Sequence, residues 1–152
     1  ENYDYMMYEM LADDLKNITN VKFDIERGPA KVVTIDDHKI YVAHGDGIKG
    51  IRNLFPSNSN FLLTRLRENN YVFDSVLLAH FHQYHALSIK SGMIIVNNSF
   101  IGANEYSFKN NMPQTPPSQM MFGVKNNRIT FQFPIDFNSG EEHESNTRKN
   151  FI

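Results

Sequence analysis

Apolar and polar positions alternate along this chain in two different periods. In "YDYMMYEMLADDLKNI", Tyr5, Tyr8, Leu11, Leu15 and Ile18 recur every three or four residues with Asp13, Asp14 and Lys16 between them, which predicts an amphipathic helix over residues 3–18. "KVVTID" and "KIYVAHG" are β-branched runs, read as antiparallel strands joined at Asp37 and His38, the second ending at His44. "HGDGIKGIRN" reads as a loop at a strand end, and "SNFLLTRLRENN" as a capped helix carrying Phe61, Leu62, Leu63 and Leu66. "YVFDSVLLA" returns to strand, "ALSIK" and "GMIIVNNSF" form two more around a Ser-Gly turn, and "QMMFGVKNNRITFQFPI" predicts a hairpin around Asn126 and Asn127. Residues 102–118, with Pro113, Pro116 and Pro117, are assigned to a long surface loop.

These elements amount to one α/β domain over residues 1–137, followed by a polar tail or linker over 138–152 that has almost no apolar payload. At 152 residues and 41% hydrophobic content the chain can bury one core. A net charge of −2 gives no bulk attraction to nucleic acid or anionic membrane, so any polyanion contact needs a local basic arrangement. Without cysteine there is no disulfide framework and no thiolate site, so metal ligands must come from His, Asp, Glu, Asn or water. No apolar run approaches the roughly 20 residues that span a bilayer, and the acidic start is unlike a signal peptide, so a cytoplasmic location is expected.

Candidate chemistry concentrates in "SVLLAHFHQYHAL", an apolar run that stops at His80, His82 and His85. In extended backbone, residues two apart point the same way, so His80 and His82 are expected to face one site while Phe81 turns into the core. His44 likewise ends an apolar strand and enters a glycine-rich turn. His85 is read as exposed, with a supporting place behind the ligands as the other reading, and His38 and His143 are read as solvent-facing. Asp46 is assigned to loop capping. Lys49, Arg52, Arg65 and Arg67 could meet a phosphate backbone, yet read first as a solvated face. Met6, Met7 and Met10 are assigned to core packing, with a flexible partner surface as the alternative. Asn104, Glu105 and Tyr106 would border the same edge.

The order "HGD", then "LLAHFHQ", then "IIVNNSFIGANEYS" resembles the C-terminal half of calcineurin-like metallophosphoesterases, particularly small bacterial and phage members related to DNA-repair exonucleases. The resemblance implies half of a two-sheet α/β sandwich flanked by helices. It implies His44 and His80 as ligands of one metal and His82 as a ligand of the other, in a pair of divalent transition ions: Mn, Fe, Zn or Ni, with Mn favoured. Ala79 stands where the family usually has Gly, and Asn98 where Gly often precedes Ser. The family's Asp-x-His, Gly-Asp and Gly-Asn-His motifs do not precede His44 here. The resemblance therefore implies metal-dependent phosphodiester hydrolysis, nuclease action included, only when an upstream segment or a second chain supplies the missing half; alone, the chain is expected to be inactive. The other reading is a split or decayed half kept as a non-catalytic binding or structural module.

Overall fold

The computed structural model describes residues 3–55, 62–64, 66–112 and 114–137. Strands β1 (Ala30–Ile35) and β2 (His38–Ala43) form an antiparallel hairpin in which Ile35 faces His38 across a two-residue turn. That turn is Asp36–Asp37, both with positive φ (46° and 63°), the backbone that a tight hairpin demands. It lies one residue earlier than the pattern predicts. Because side chains alternate faces, a one-residue slip carries each to the opposite side. His38, expected in solvent, is fully buried.

The main sheet has the order β1-β2-β3-β5-β4, with β3 Ser75–Leu78, β4 His85–Ser88 and β5 Met93–Val96. β2, β3 and β5 run parallel, while β1 and β4 pair antiparallel at the two edges. Buried parallel strands have two apolar faces, which is why "SVLL" and "MIIV" are nearly continuous in hydrophobicity. Val76, Leu78, Ile94 and Val96 pack with Tyr41, Phe73, Leu54 of the 3-10 turn Ile51–Leu54, and Leu63 of the helical residues 62–64 and 66–68. Ile40 and Ile95, of opposite parity, are buried on the other face. The β4–β5 turn needs Gly92, since a Cβ there would lie 2.3 Å from Ser75 Oγ.

Burial pushes the phenol of Tyr41 above its ordinary value of 10.0, and the neighbouring Tyr71 adds to the rise. The folded state then holds that proton more tightly than the unfolded state, so the stability from neutral Tyr41 is complete below pH about 10 and is lost as pH rises through the folded value. Denaturant titrations from pH 9 to 11 are expected to show falling stability, with a shallower fall in Tyr41→Phe. An equal slope in both proteins would exclude Tyr41 as the source.

A second sheet is the hairpin β6 (Ser118–Val124) and β7 (Ile129–Asp136), with Asn126 and Asn127 in the left-handed turn as predicted. It leans on the main sheet where Tyr84 Oη donates to Gln132 Oε1 (3.1 Å) and Gln132 Nε2 donates to Met93 Sδ (3.0 Å). The tips of the two hairpins meet: Asn126 N–H donates to Asp36 Oδ2 at 2.6 Å.

Two helices depart from expectation. Helix α1 covers Tyr3–Asp14 and gives way to turns through Ile18, short of the predicted end. Met6, Met7 and Met10 are 61–67% exposed, so the core assignment is wrong for them. The helix is tied down by the Arg27 Nε hydrogen bond to Tyr5 Oη (2.7 Å), not by a buried stripe. Within the predicted loop, α2 spans Glu105–Lys109, started by a reciprocal cap: Asn104 Oδ1 accepts from Ser107 N, and Ser107 Oγ accepts from Asn104 N. The predicted tail, His143, Phe61 and Arg65 lie outside the described residues.

Candidate functional site

Because β2, β3 and β5 are parallel, their carboxyl ends open on the same edge of the sheet, the edge where open α/β sheets bind ligands. His44 follows β2, His80–His82 follow β3, and Asn97–Ser99 follow β5. Register then does the bringing together: Ala43 lies opposite Leu78, and Ala79 N–H donates to the His44 carbonyl (2.9 Å), carrying the ladder one residue beyond the strands. Gly45, at φ 106°, turns the chain away beside His80.

His80 and His82 are not extended. Their φ angles are 67° and 51°, and Phe81 N–H reaches back to the Ala79 carbonyl (2.7 Å), closing a three-residue turn centred on His80. Left-handed backbone at a residue other than glycine costs on the order of 1–3 kcal/mol and persists only where surroundings enforce it. The alternation argument for a shared face therefore does not apply; the turn, not a strand, orients these rings.

The turn places His80 Nδ1 3.1 Å from His44 Nε2, with the rings edge to face and their centroids 5.0 Å apart. In neutral imidazoles this is one hydrogen bond, whose direction follows the tautomers. The spacing also suits a shared cation, since nitrogens about 2.0–2.1 Å from one zinc at an angle between a right angle and tetrahedral are about 3 Å apart. Among the described residues, His82 Nδ1 is buried without a hydrogen-bond partner. Among the described residues, no group of three or more His, Cys, Asp or Glu side chains could hold a metal ion. The pair fits a metal as a partial ligand set, without a carboxylate.

The other sequence candidates fall elsewhere. His85, read as exposed, is half-buried at the start of β4, with Nε2 3.0 Å from Gln83 Oε1 and its ring edge-on to Phe55. Asp46 is exposed and lines a cavity of about 240 Å³ walled by Tyr41, Leu62, Leu66 and Leu78. Lys49, Arg52 and Arg67 are exposed, and the Arg67 guanidinium lies over the Phe73 ring at 5.3 Å. Asn104 serves as the α2 cap, and Glu105 pairs with Lys109 at 2.7 Å.

Sequence reasoning missed a buried polar group. His38 Nε2 lies 2.8 Å from Ser75 Oγ, its Nδ1 lies 3.0 Å from the Asn127 carbonyl, and Asp74 Oδ2 is 3.9 Å from the same Nδ1. The carbonyl can only accept, so Nδ1 carries a proton; in the neutral ring Nε2 then accepts from the Ser75 hydroxyl, which in turn accepts from Met93 N–H (2.9 Å). The trio has the composition of a hydrolase triad, yet Ser75 is 1% exposed and cannot meet a substrate. It is structural, joining β2, β3, β5 and the β6–β7 turn. The only sequence signal would have been the adjacent Asp36–Asp37 pair, better suited to a left-handed turn than Asp37–His38.

No protein-family model and no curated protein sequence matches the chain. Similarity appears among solved structures. Vacuolar Protein Sorting 29 from Cryptosporidium parvum shares 16% identity at a TM-score of 0.50, over 84% of this chain and 76% of that one. Wild-type Vps29 from Entamoeba histolytica, in a structure complexed with Zn²⁺, shares 17% identity at a TM-score of 0.50, over 86% of this chain and 77% of that one. At such identities what is shared is the fold: the five-stranded sheet and second sheet of this chain are arranged as in the metallophosphoesterase-like Vps29.

Proposed function

We propose that this chain is the histidine-bearing part of a metallophosphoesterase-type domain and acts as a binding and structural module within a larger assembly. The observation that carries this reading is the ligand count. His44 and His80 converge to 3.1 Å, and no described carboxylate joins them. A hydrolytic two-metal centre needs its cations held roughly 3.5–4 Å apart, which calls for a bridging carboxylate. Likeness to proteins named for vacuolar sorting supports a binding role ahead of a nuclease role. Exposed apolar side chains on α1 and β7, among them Met7, Met10, Phe131 and Phe133, support a partner chain.

His44 and His80 would hold a divalent transition metal as a two-nitrogen set, and His82, which does not group with them, would serve the second metal that the sequence resemblance implies. Zinc is the ion to test first, because imidazole suits it and the E. histolytica neighbour is complexed with it. Bound there, a metal supplies Lewis acidity; the histidines supply neutral nitrogen donors and orientation. A second reading keeps phosphodiester hydrolysis, with carboxylates contributed by an upstream segment or another chain. It is favoured by the buried Nδ1 of His82, unpaired among the described residues, which a cation or a donor from elsewhere would satisfy.

The test is hydrolysis of bis(p-nitrophenyl) phosphate by the chain alone in Zn²⁺ and in Mn²⁺, alongside native mass spectrometry of the protein from its source. A rate equal to metal in buffer, with the chain found in a complex, is the expected outcome. Turnover that disappears in His80→Ala would overturn the non-catalytic reading.

A further inference from the structure

The loop that follows β5 reaches back to the histidine turn through one hydroxyl. Thr115 Oγ1 lies 2.9 Å from the carbonyl oxygen of His82 and 2.9 Å from Asn98 Oδ1, two acceptors between which its single proton is shared. Asn98 is itself fixed on all sides: Nδ2 donates to the Pro116 carbonyl (2.9 Å) and to Ser118 Oγ (2.8 Å), while Oδ1 accepts from Ser99 N–H (2.8 Å). A glycine, which often occupies this place in the family that the sequence resembles, could make none of these side-chain bonds. Gly102 lets the loop double back: at φ 66° its absent Cβ would lie 2.7 Å from Pro117 Cδ and 3.2 Å from the Thr115 carbonyl.

From this we infer that Thr115, on a loop that Asn98 clamps through the Pro116 carbonyl and Ser118, is a positioning residue for the histidine site. His82 stands in left-handed backbone that its own side chain does not favour, so something outside it must hold the conformation. The Thr115 hydroxyl is the described side-chain donor on its carbonyl, and it acts from the far side of the turn whose near side is anchored by Ala79 and His44. Fixing the His82 carbonyl fixes the exit of the turn, and with it the direction in which the His80 and His82 rings are presented. The inference rests on the metal-binding reading proposed above, so its two links are measured separately.

The backbone link is measured on the full chain without metal, as the amide-to-Hα nuclear Overhauser effect within His82, which is strong only at positive φ. Wild type and Thr115→Ser are expected to show it strongly, and Thr115→Val, which keeps the shape but not the hydroxyl, to lose it. Asn98→Gly, which removes the support behind Thr115, is expected to weaken it and serves as the second variant if Thr115→Val does not fold. The metal link is measured by calorimetric titration with Zn²⁺: Thr115→Val is expected to bind about tenfold more weakly, the lower end of what second-sphere partners of metal ligands contribute, and Thr115→Ser to match wild type. An unchanged Overhauser effect in Thr115→Val and Asn98→Gly overturns the clasp. A changed effect with unchanged zinc affinity overturns its positioning role. Absence of zinc binding in the wild type overturns the metal-binding reading and the positioning role together, whereas zinc binding that depends on His80 but not on Thr115 overturns the positioning role alone.

Discussion

His38→Ala is expected to lower the unfolding free energy by about 2–4 kcal/mol, a large share of the roughly 5–15 kcal/mol that holds an ordinary domain together. The substitution removes the acceptor of the Ser75 hydroxyl and the donor to the Asn127 carbonyl, at a position fully shielded from water. Each buried polar group left unpaired costs on the order of 1–3 kcal/mol, and the space vacated by the ring adds a cavity. Two further variants separate these terms. Ser75→Ala breaks the bond to His38 and the one accepted from Met93 N–H but vacates only a hydroxyl, so it should cost less than His38→Ala. His38→Asn can place its amide near the Nδ1 position, keep the carbonyl bond, and recover part of the loss. The check is denaturant unfolding of the three variants beside wild type. A loss below about 1 kcal/mol in His38→Ala would show that water replaces the ring and that the tie between the hairpins is weak.

His80→Ala is expected to weaken zinc binding by on the order of a hundredfold, because it reduces a pair of converging nitrogens to a single exposed imidazole, which binds little better than a histidine in an unfolded chain. His44→Ala should do the same. The double variant should be scarcely worse than either single one, because both act in one site and their effects do not add. His82→Ala is the informative third: a loss similar to that of His80→Ala makes His82 a ligand, and a small loss leaves its buried Nδ1 as a polar group satisfied by another part of the assembly. Calorimetric titration gives the affinities, and circular dichroism confirms that the sheet is intact. Equal affinity in wild type, His44→Ala and His80→Ala would place any bound zinc elsewhere on the protein.

Much of this architecture is legible in the sequence where local pattern and tertiary demand agree. "SVLL" and "MIIV" are strands because both of their faces are buried, and the Asn126–Asn127 turn is legible because few residues accept consecutive left-handed positions. His44 and His80 are legible as a pair because both follow apolar strands into turns. What misleads is the step from pattern to orientation. The alternation rule puts His80 and His82 on one face of a strand, but the strand ends at Leu78 and the backbone turns left-handed twice. The assignment of Met6, Met7 and Met10 to a core fails for a related reason: helical spacing shows which residues share a face, not whether anything packs against that face. The short helix α2 escapes notice because its signal, Asn104 with Ser107 three residues on, is carried by polar residues that also suit a loop.

By itself, then, the sequence determined the local elements: which segments are strands, where the β6–β7 hairpin turns, and which histidines stand at strand ends, since these follow from hydrophobic period and from the few residues that tolerate a left-handed backbone. The tertiary structure decided what those residues meet. Parallel pairing of β2 with β3 sets His44 against His80 across 36 positions of chain, a one-residue difference in a turn buries His38, and the return of a loop through Gly102 sets Thr115 on the His82 carbonyl. Such contacts depend on register and loop closure, which join distant positions and leave no periodicity in the sequence for a local reading to detect.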